Sequence, residues 1–319
     1  RQEQWWEKRG VNLSRQNMSN WIMQAANVWL QPIYERMKDL LLTEDIIHAD
    51  ETSLQVLKED GKKAQSKSYM WLYRSGRYGP GIVLYEYQPS RAKEHPAEFL
   101  KGFKGYLATD AYAGYKGLPD VVNVGCWSHA KRGFDDTVKA IGKRGKDSKA
   151  MEGLRFCREL FAIEKKLKKL DPNKRYEERL LYSKPVLEAF WAWLHETKEL
   201  CPPKSHLGQA IQYCLNHWEA LNAFLLDGRL EIDNNRSERS IKPFVIGRKN
   251  FLFCITPRGA RASAITYSII ESAKENGLKP FDYLEYLFTE LPNAKADELD
   301  RFLPWSDEIP EHCRTPKKK

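Results

Sequence analysis

The runs IIHAD (46–50), SYMWLYRS (68–75) and GIVLYEYQ (81–88) are short, rich in β-branched and aromatic residues, and separated by Gly, Lys and Pro punctuation. They predict three consecutive strands in a meander. A helix candidate over 91–103 follows, then a strand over 105–110 and another over 121–125 that leads into a helix near His129. Upstream, Val11, Leu13, Trp21, Ile22, Ala25, Val28, Trp29, Ile33 and Leu40 recur at near-helical spacing. Ser19 and Asn20 are the N-cap candidates there, and Pro32 is expected to interrupt or restart the helix.

From about Phe134 to Leu226 the pattern is helical throughout, with Lys- and Glu-rich faces around 164–169 and aromatic faces at Phe190, Trp191 and Trp193. A block with no strand of its own inside a mixed chain predicts an inserted helical subdomain. Past EIDNNRSERSIKPF (231–244) and IGRKNFLFC (246–254), helices are expected near 261–275 and 281–291, before a polar end at Lys317, Lys318 and Lys319. Those lysines read as a solvated tail, with a nonspecific phosphate contact as the alternative. The fold class is therefore α/β, divided into a helical lead-in (1–45), a first core part (46–133), a helical insertion (134–226), a last core part (227–275) and a helical C-terminal segment with its tail (276–319).

Composition bounds the function. The chain of 319 residues has 52 Lys and Arg against 43 Asp and Glu, a net charge of +9 that favours a polyanionic partner, although solvated basic surfaces are common. No run approaches the roughly 20 apolar residues that cross a bilayer, so no membrane partner is expected. Cys126, Cys157, Cys201, Cys214, Cys254 and Cys313 are too sparse for a disulfide framework, and a reducing cytoplasm fits them. The chain opens on Arg1 with no signal-like apolar core, as expected of a fragment or processed product rather than a secreted precursor.

Three acids could carry chemistry. Asp50 is expected to end the first strand and Asp110 the fourth, and side-by-side strand ends bring carboxylates together as hard oxygen ligands suited to Mg²⁺. Taken alone, each reads first as a turn residue; the pair carries more. Glu238, in DNNRSER, begins a polar helix and could reach across to both; Asn235 followed by Glu238 also reads as a capping box. Three such acids can hold the paired metal ions that clamp attacking and leaving oxygens in phosphoryl transfer. No G-x-S-x-G or Walker loop competes. Cys126 and His129 form a lone C-x-x-H, without the second pair of a structural zinc site, and Cys201, His206, Cys214 and His217 lack a zinc spacing. Arg236, Arg239, Lys242, Arg248 and Lys249 bracket Glu238, and Lys131 and Arg132 follow His129; phosphate contacts and solvated faces are both open for them.

Several motifs occur together: HADET around Asp50, TDAYAGY from Thr109, GCWSHAKRGF from Gly125, DGRLEIDNNRSERSIKPFVIGRKNFLF from Asp227, and ENGLKPFDYL followed by LPW at Trp305. In this order, over nearly the whole chain, the sequence resembles the transposases of the insertion-sequence-66 family. The resemblance implies an RNase H-like mixed sheet flanked by helices, with an all-helical insertion before the last catalytic acid. It implies a D,D,E site of Asp50, Asp110 and Glu238 holding two Mg²⁺ or Mn²⁺ ions, with Cys126 and His129 supporting. It further implies cleavage and strand transfer on double-stranded DNA, both element ends and target, by a homo-oligomer in the bacterial, nucleoid-associated cytoplasm. The front departs from the pattern: family members carry a zinc-binding module and helical DNA-binding parts that do not appear in these residues, so terminal-repeat recognition is expected to need more than this chain. Two rival expectations are a non-catalytic, domesticated DNA-binding relative and a metal-dependent nuclease without strand joining.

Overall fold

The computed structural model describes residues 1–316; the tail lysines named above lie outside the described residues. Helices α1 (Gln2–Glu7), α2 (Arg15–Ala25) and α3 (Gln31–Leu41) lead in. The cap of α2 is Ser14, whose side chain accepts from Asn17 N–H, rather than Ser19 or Asn20, which lie inside the helix. Between α2 and α3 the backbone continues through a π-helical turn, Ala26–Leu30. Pro32 thus stands where the α-helix restarts, as expected: it falls in the first turn of α3, where its missing N–H costs little, and the widened turn before it separates the two α-helices.

Then come β1 (Ile46–Gln55), β2 (Lys67–Ser75) and β3 (Val83–Gln88), the short α4 (Glu94–Phe99), β4 (Gly105–Ala108) and β5 (Val121–Val124). The meander forms as expected, with β1–β2 and β2–β3 antiparallel, while β4 and β5 join parallel on the other side of β1. The strand order is β3-β2-β1-β4-β5, a mixed sheet with β1 at its centre. The helix expected over 91–103 shrinks to α4, because Leu100 is the C-cap and Gly102 takes a positive φ of 87°.

A helical run follows: α5 (Trp127–Ile141), α6 (Lys149–Leu167), α7 (Pro172–Lys198), α8 (His206–Asn216) and α9 (Trp218–Asn222). Beyond it lie α10 (Asn235–Phe251), α11 (Pro257–Glu275) and α12 (Pro280–Glu290). Among the described residues the buried apolar side chains form three clusters. One joins α3, α11 and α12 to the sheet face carrying Ile47, Ala49, Trp71 and Tyr73. A second gathers Trp127, Phe134, Leu154, Phe190, Leu194 and Ile211 of the helical run against Ile46, Ala108 and Val124 of the sheet. The third places Ile241 and Phe244 of α10 over Leu54, Met70, Leu72 and Tyr85.

Two polar devices fix these layers. The outer strand β3 is not open: Val83 N–H donates to Ser272 Oγ at 2.9 Å and Tyr85 N–H to Ser268 Oγ at 2.8 Å, so serines of α11 satisfy donors that an edge strand would otherwise expose. Arg179 of α7, fully buried, binds Glu164 of α6 at 2.7 Å and donates to the carbonyls of Phe224, Asp227 and Leu230 at 2.6, 3.0 and 2.7 Å. It ties the helical run to the loop that enters α10.

Candidate active site

Asp50 lies in the middle of β1, not at its end. The strand runs on to Gln55 because β2 is long enough to pair with it all the way, from Asp50 opposite Leu72 to Gln55 opposite Lys67. The parallel neighbour stops sooner, with His48 opposite Ala108 as the last pair. Asp50 and Asp110 each stand two residues past that pair, and alternation along β1 gives Asp50 the face of His48. β4 itself ends at Ala108, two residues before Asp110. The Asp110 carboxylate accepts from Tyr112 N–H at 3.0 Å, and Ala111 between them is left-handed with φ 70°, a strained conformation for a residue with a Cβ.

Glu238 is in the first turn of α10, and Asn234 anchors that turn to the sheet. Asn234 is buried; its Nδ2 donates to Ala49 O at 2.8 Å, so its Oδ1 faces His48 Nδ1 at 2.9 Å and the imidazole proton sits on Nδ1. Burial pushes His48 down to about 4, against the opposing pull of Glu231, and keeps it neutral. The capping box expected from Asn235 and Glu238 does not form. Asn234 is the cap residue, without a side-chain cap bond, and Asp233 instead receives Asn235 N–H at 3.1 Å.

The same approach segment meets the start of α5. Trp127 N–H donates to Ile232 O at 3.1 Å, Ser128 Oγ to Asp233 at 3.3 Å, and Asn234 N–H to Cys126 Sγ at 3.2 Å. Glu238 consequently lies beside the C-x-x-H: ligand atoms of Cys126, His129 and Glu238 all fall within 4.8 Å of one another. Among the described residues no other His, Cys, Asp or Glu triple is this tight, so Asp50, Asp110 and Glu238 do not close on a single point.

Asp50 nonetheless senses both other acids. Burial first, then the charge of Glu51, and further Asp110 and Glu238, raise its carboxyl from 3.8 to about 7, against a bond from Glu51 N–H. A crowded, desolvated carboxylate of this kind is one that a cation would relieve.

The basic residues divide. Arg239, Lys242 and Lys249 are exposed on α10 and Arg132 on α5, free to meet a polyanion. Arg248 donates to Thr52 and Ser53 at 3.1 and 3.3 Å, just beyond Asp50 on β1. Arg236 is instead engaged by Glu231 at 3.0 Å, and Lys131 lies 5.2 Å from the Phe161 ring centre.

Sequence reasoning missed Glu51, Asn234 and His48. Alternation along β1 turns Glu51 to the face opposite Asp50, where Arg91 Nε at 2.7 Å and Tyr115 OH at 2.8 Å hold it. Burial raises Glu51, with Arg91 and Tyr115 pulling the other way. The signal for Asn234 was present as a polar residue next to a helix start, but only a folded chain shows it bridging to β1.

Comparison with known proteins gives the class and then the family. A transposase family model, described as "Transposase IS66 family", matches residues 1–262, and one described as "IS66 C-terminal element" matches residues 268–305. The chain belongs to the IS66 transposase family. It is similar to three proteins of Sinorhizobium fredii: the uncharacterized protein y4jD, 31% identical over 96% of this chain and 62% of that protein; y4qI, 32% over 96% and 59%; and y4hP, 26% over 93% and 56%. The chain thus spans about three fifths of the length of these relatives. No solved structure gives a significant match. Among the described residues no helix is long and apolar enough to cross a membrane.

Proposed function

We propose that this chain is the catalytic part of a D,D,E transposase with an RNase H-like core, in which residues 134–226 are a helical insertion. The sheet order β3-β2-β1-β4-β5, with its first three strands antiparallel and its last two parallel, agrees with such a core. The observation that supports the reading is that Asp50 and Asp110 each lie two residues past the last β1–β4 pair, while Asn234, at the start of the helix that carries Glu238, is bonded to Ala49 of β1.

The donor set fits hard divalent ions, being three carboxylates of which the central one is destabilised as an anion by its surroundings. Asp50, Asp110 and Glu238 would hold two Mg²⁺ or Mn²⁺ ions. Such ions, when bound, lower the pKa of the attacking water or 3′ hydroxyl and stabilise charge on the leaving oxygen. The protein's own share is positioning. Exposed Arg239, Lys242 and Lys249 attract the DNA backbone, Arg248 beside β1 and His129 beside Glu238 orient phosphates, and the buried Asn234–His48 pair keeps α10 at a fixed distance from β1. Double-stranded DNA, first the element end and then the target, is the substrate, and a homo-oligomer assembled on it would hold both; the cytoplasm of a bacterial cell is the setting this implies.

The test is joining of a pre-exposed 3′ end to a second duplex in Mg²⁺, by the chain and by Glu238→Gln. Joining is expected to fall by about 10²–10³-fold in the variant, as on removal of a charge-stabilising group. Unchanged joining would overturn the assignment, and cleavage without joining in the unaltered chain would make it a nuclease.

A further inference from the structure

We propose that Cys126, His129 and Glu238 form a binding site for one borderline-soft divalent ion with the ligand preferences of Zn²⁺. A C-x-x-H alone offers only two ligands, and the third arrives from another element, the first turn of α10, 109 residues beyond His129 in the chain. A thiolate, an imidazole and a carboxylate are a mixed set that Zn²⁺ accepts and Mg²⁺ does not. Tetrahedral ligands at zinc distances lie about 3.3–3.8 Å apart, so ligand atoms already within 4.8 Å need only small side-chain adjustments to close on an ion.

Two further observations point to a ligand. His129 Nδ1 is buried and has no hydrogen-bond partner, a costly state for a ring nitrogen that a metal ion or its bound water would relieve. Cys126 Sγ already receives the Asn234 N–H at 3.2 Å, the kind of backbone donor that stabilises a metal-bound thiolate. With three protein ligands the fourth position is left to solvent. Metal binding would release the thiol proton to water as the Cys126–metal bond forms, with no change of oxidation state.

The binding site stands independently of catalysis. Its consequence rests on the D,D,E reading: Glu238 cannot serve Asp50 and Asp110 while it is held by Cys126 and His129, so Zn²⁺ would compete with the hard ions for that one side chain.

Metal-stripped chain titrated with Co²⁺, without DNA or Mg²⁺, is expected to bind one ion with a thiolate-to-cobalt charge-transfer band that added Zn²⁺ abolishes. Cys126→Ser should lose the band while Cys254→Ser keeps it, and His129→Ala and Glu238→Gln should weaken binding about tenfold or more. Absence of saturable binding, a band that survives Cys126→Ser, or unaltered affinity in the other two variants would overturn the site. Should Cys126→Ser fail to fold, X-ray absorption of the zinc-loaded unaltered chain decides: a shell containing one sulfur supports the site and a shell of only nitrogen and oxygen refutes it. Because this binding assay contains no DNA, its failure leaves the strand-joining test untouched, and the converse holds.

Discussion

Replacing Arg179 by Met should loosen the entry to α10 more than any surface change could. The guanidinium is fully buried and makes bonds of 2.6–3.0 Å to three loop carbonyls besides its pair with Glu164. Methionine fills similar space but donates nothing, so the buried carbonyls of Phe224 and Leu230 lose their donor, while that of Asp227, half-buried, keeps the Leu230 N–H at 3.1 Å. Each of the first two costs about 1–3 kcal/mol when left unsatisfied. Glu164 keeps Arg175 at 2.6 Å, so its charge is not stranded. Burial would raise Glu164, but bonds and charge from Arg179 and then Arg175 outweigh it and hold the carboxyl below its ordinary range, so part of that support also goes. Allowing for relaxation and non-additivity, a loss of about 4 kcal/mol is expected. With a urea slope of about 3 kcal/mol/M for a chain this size, the midpoint should fall by about 1.3 M. Circular dichroism and tryptophan fluorescence during urea unfolding measure this. A loss below about 1 kcal/mol would refute the account of Arg179 as the tie between the helical run and the segment that carries Glu238.

Asp50→Asn should stabilise the metal-free chain at pH 8. The folded carboxyl, at about 7, lies above its unfolded value of about 3.9. Between those values the folded state holds a proton that the unfolded state has released, so stability falls as pH rises through roughly 4 to 7. The ceiling is about 4 kcal/mol and about 2 kcal/mol is expected, with convergence of the two proteins near pH 4; a variant less stable than the parent at pH 8 in urea melts would contradict this, and saturating Mg²⁺ should narrow the gap. Asn234→Ala removes the bonds to Ala49 O and His48, and a loss of about 2–3 kcal/mol by thermal unfolding is expected; strand joining should fall further than stability explains if α10 is registered through this residue. Ala111→Gly relieves the positive φ of 70° and should raise stability by about 1 kcal/mol in the same assay.

Much of this organisation is readable without coordinates, for identifiable reasons. Short runs rich in β-branched and aromatic residues, with turn residues between them, marked the meander, and the absence of any β pattern marked the helices between Phe134 and Leu226, because both signals are local. The end of a strand is decided by its partner: Asp50 resembles a strand terminus only until β2 is seen to pair on to Gln55. The lead-in helix likewise hid its start, since Ser14, Ser19 and Asn20 are all acceptable caps by residue type and packing chooses among them. Least legible were relations across the chain, such as Asn234 bridging to Ala49 and Glu238 lying against Cys126 and His129. No spacing rule encodes these, because the distance that matters is set by how α5 and α10 meet.

Ser268 and Ser272 give β3 a neighbour that is not a strand. An extended peptide seeking to lengthen the sheet on that side would find the N–H groups of Val83 and Tyr85 already taken and would have to evict a helix rooted in the hydrophobic interior. Growth of the sheet, whether by a second subunit or by a misfolded copy, is thereby directed away from this flank, and the sheet can keep its five-strand width while other surfaces of the molecule are left to meet partners.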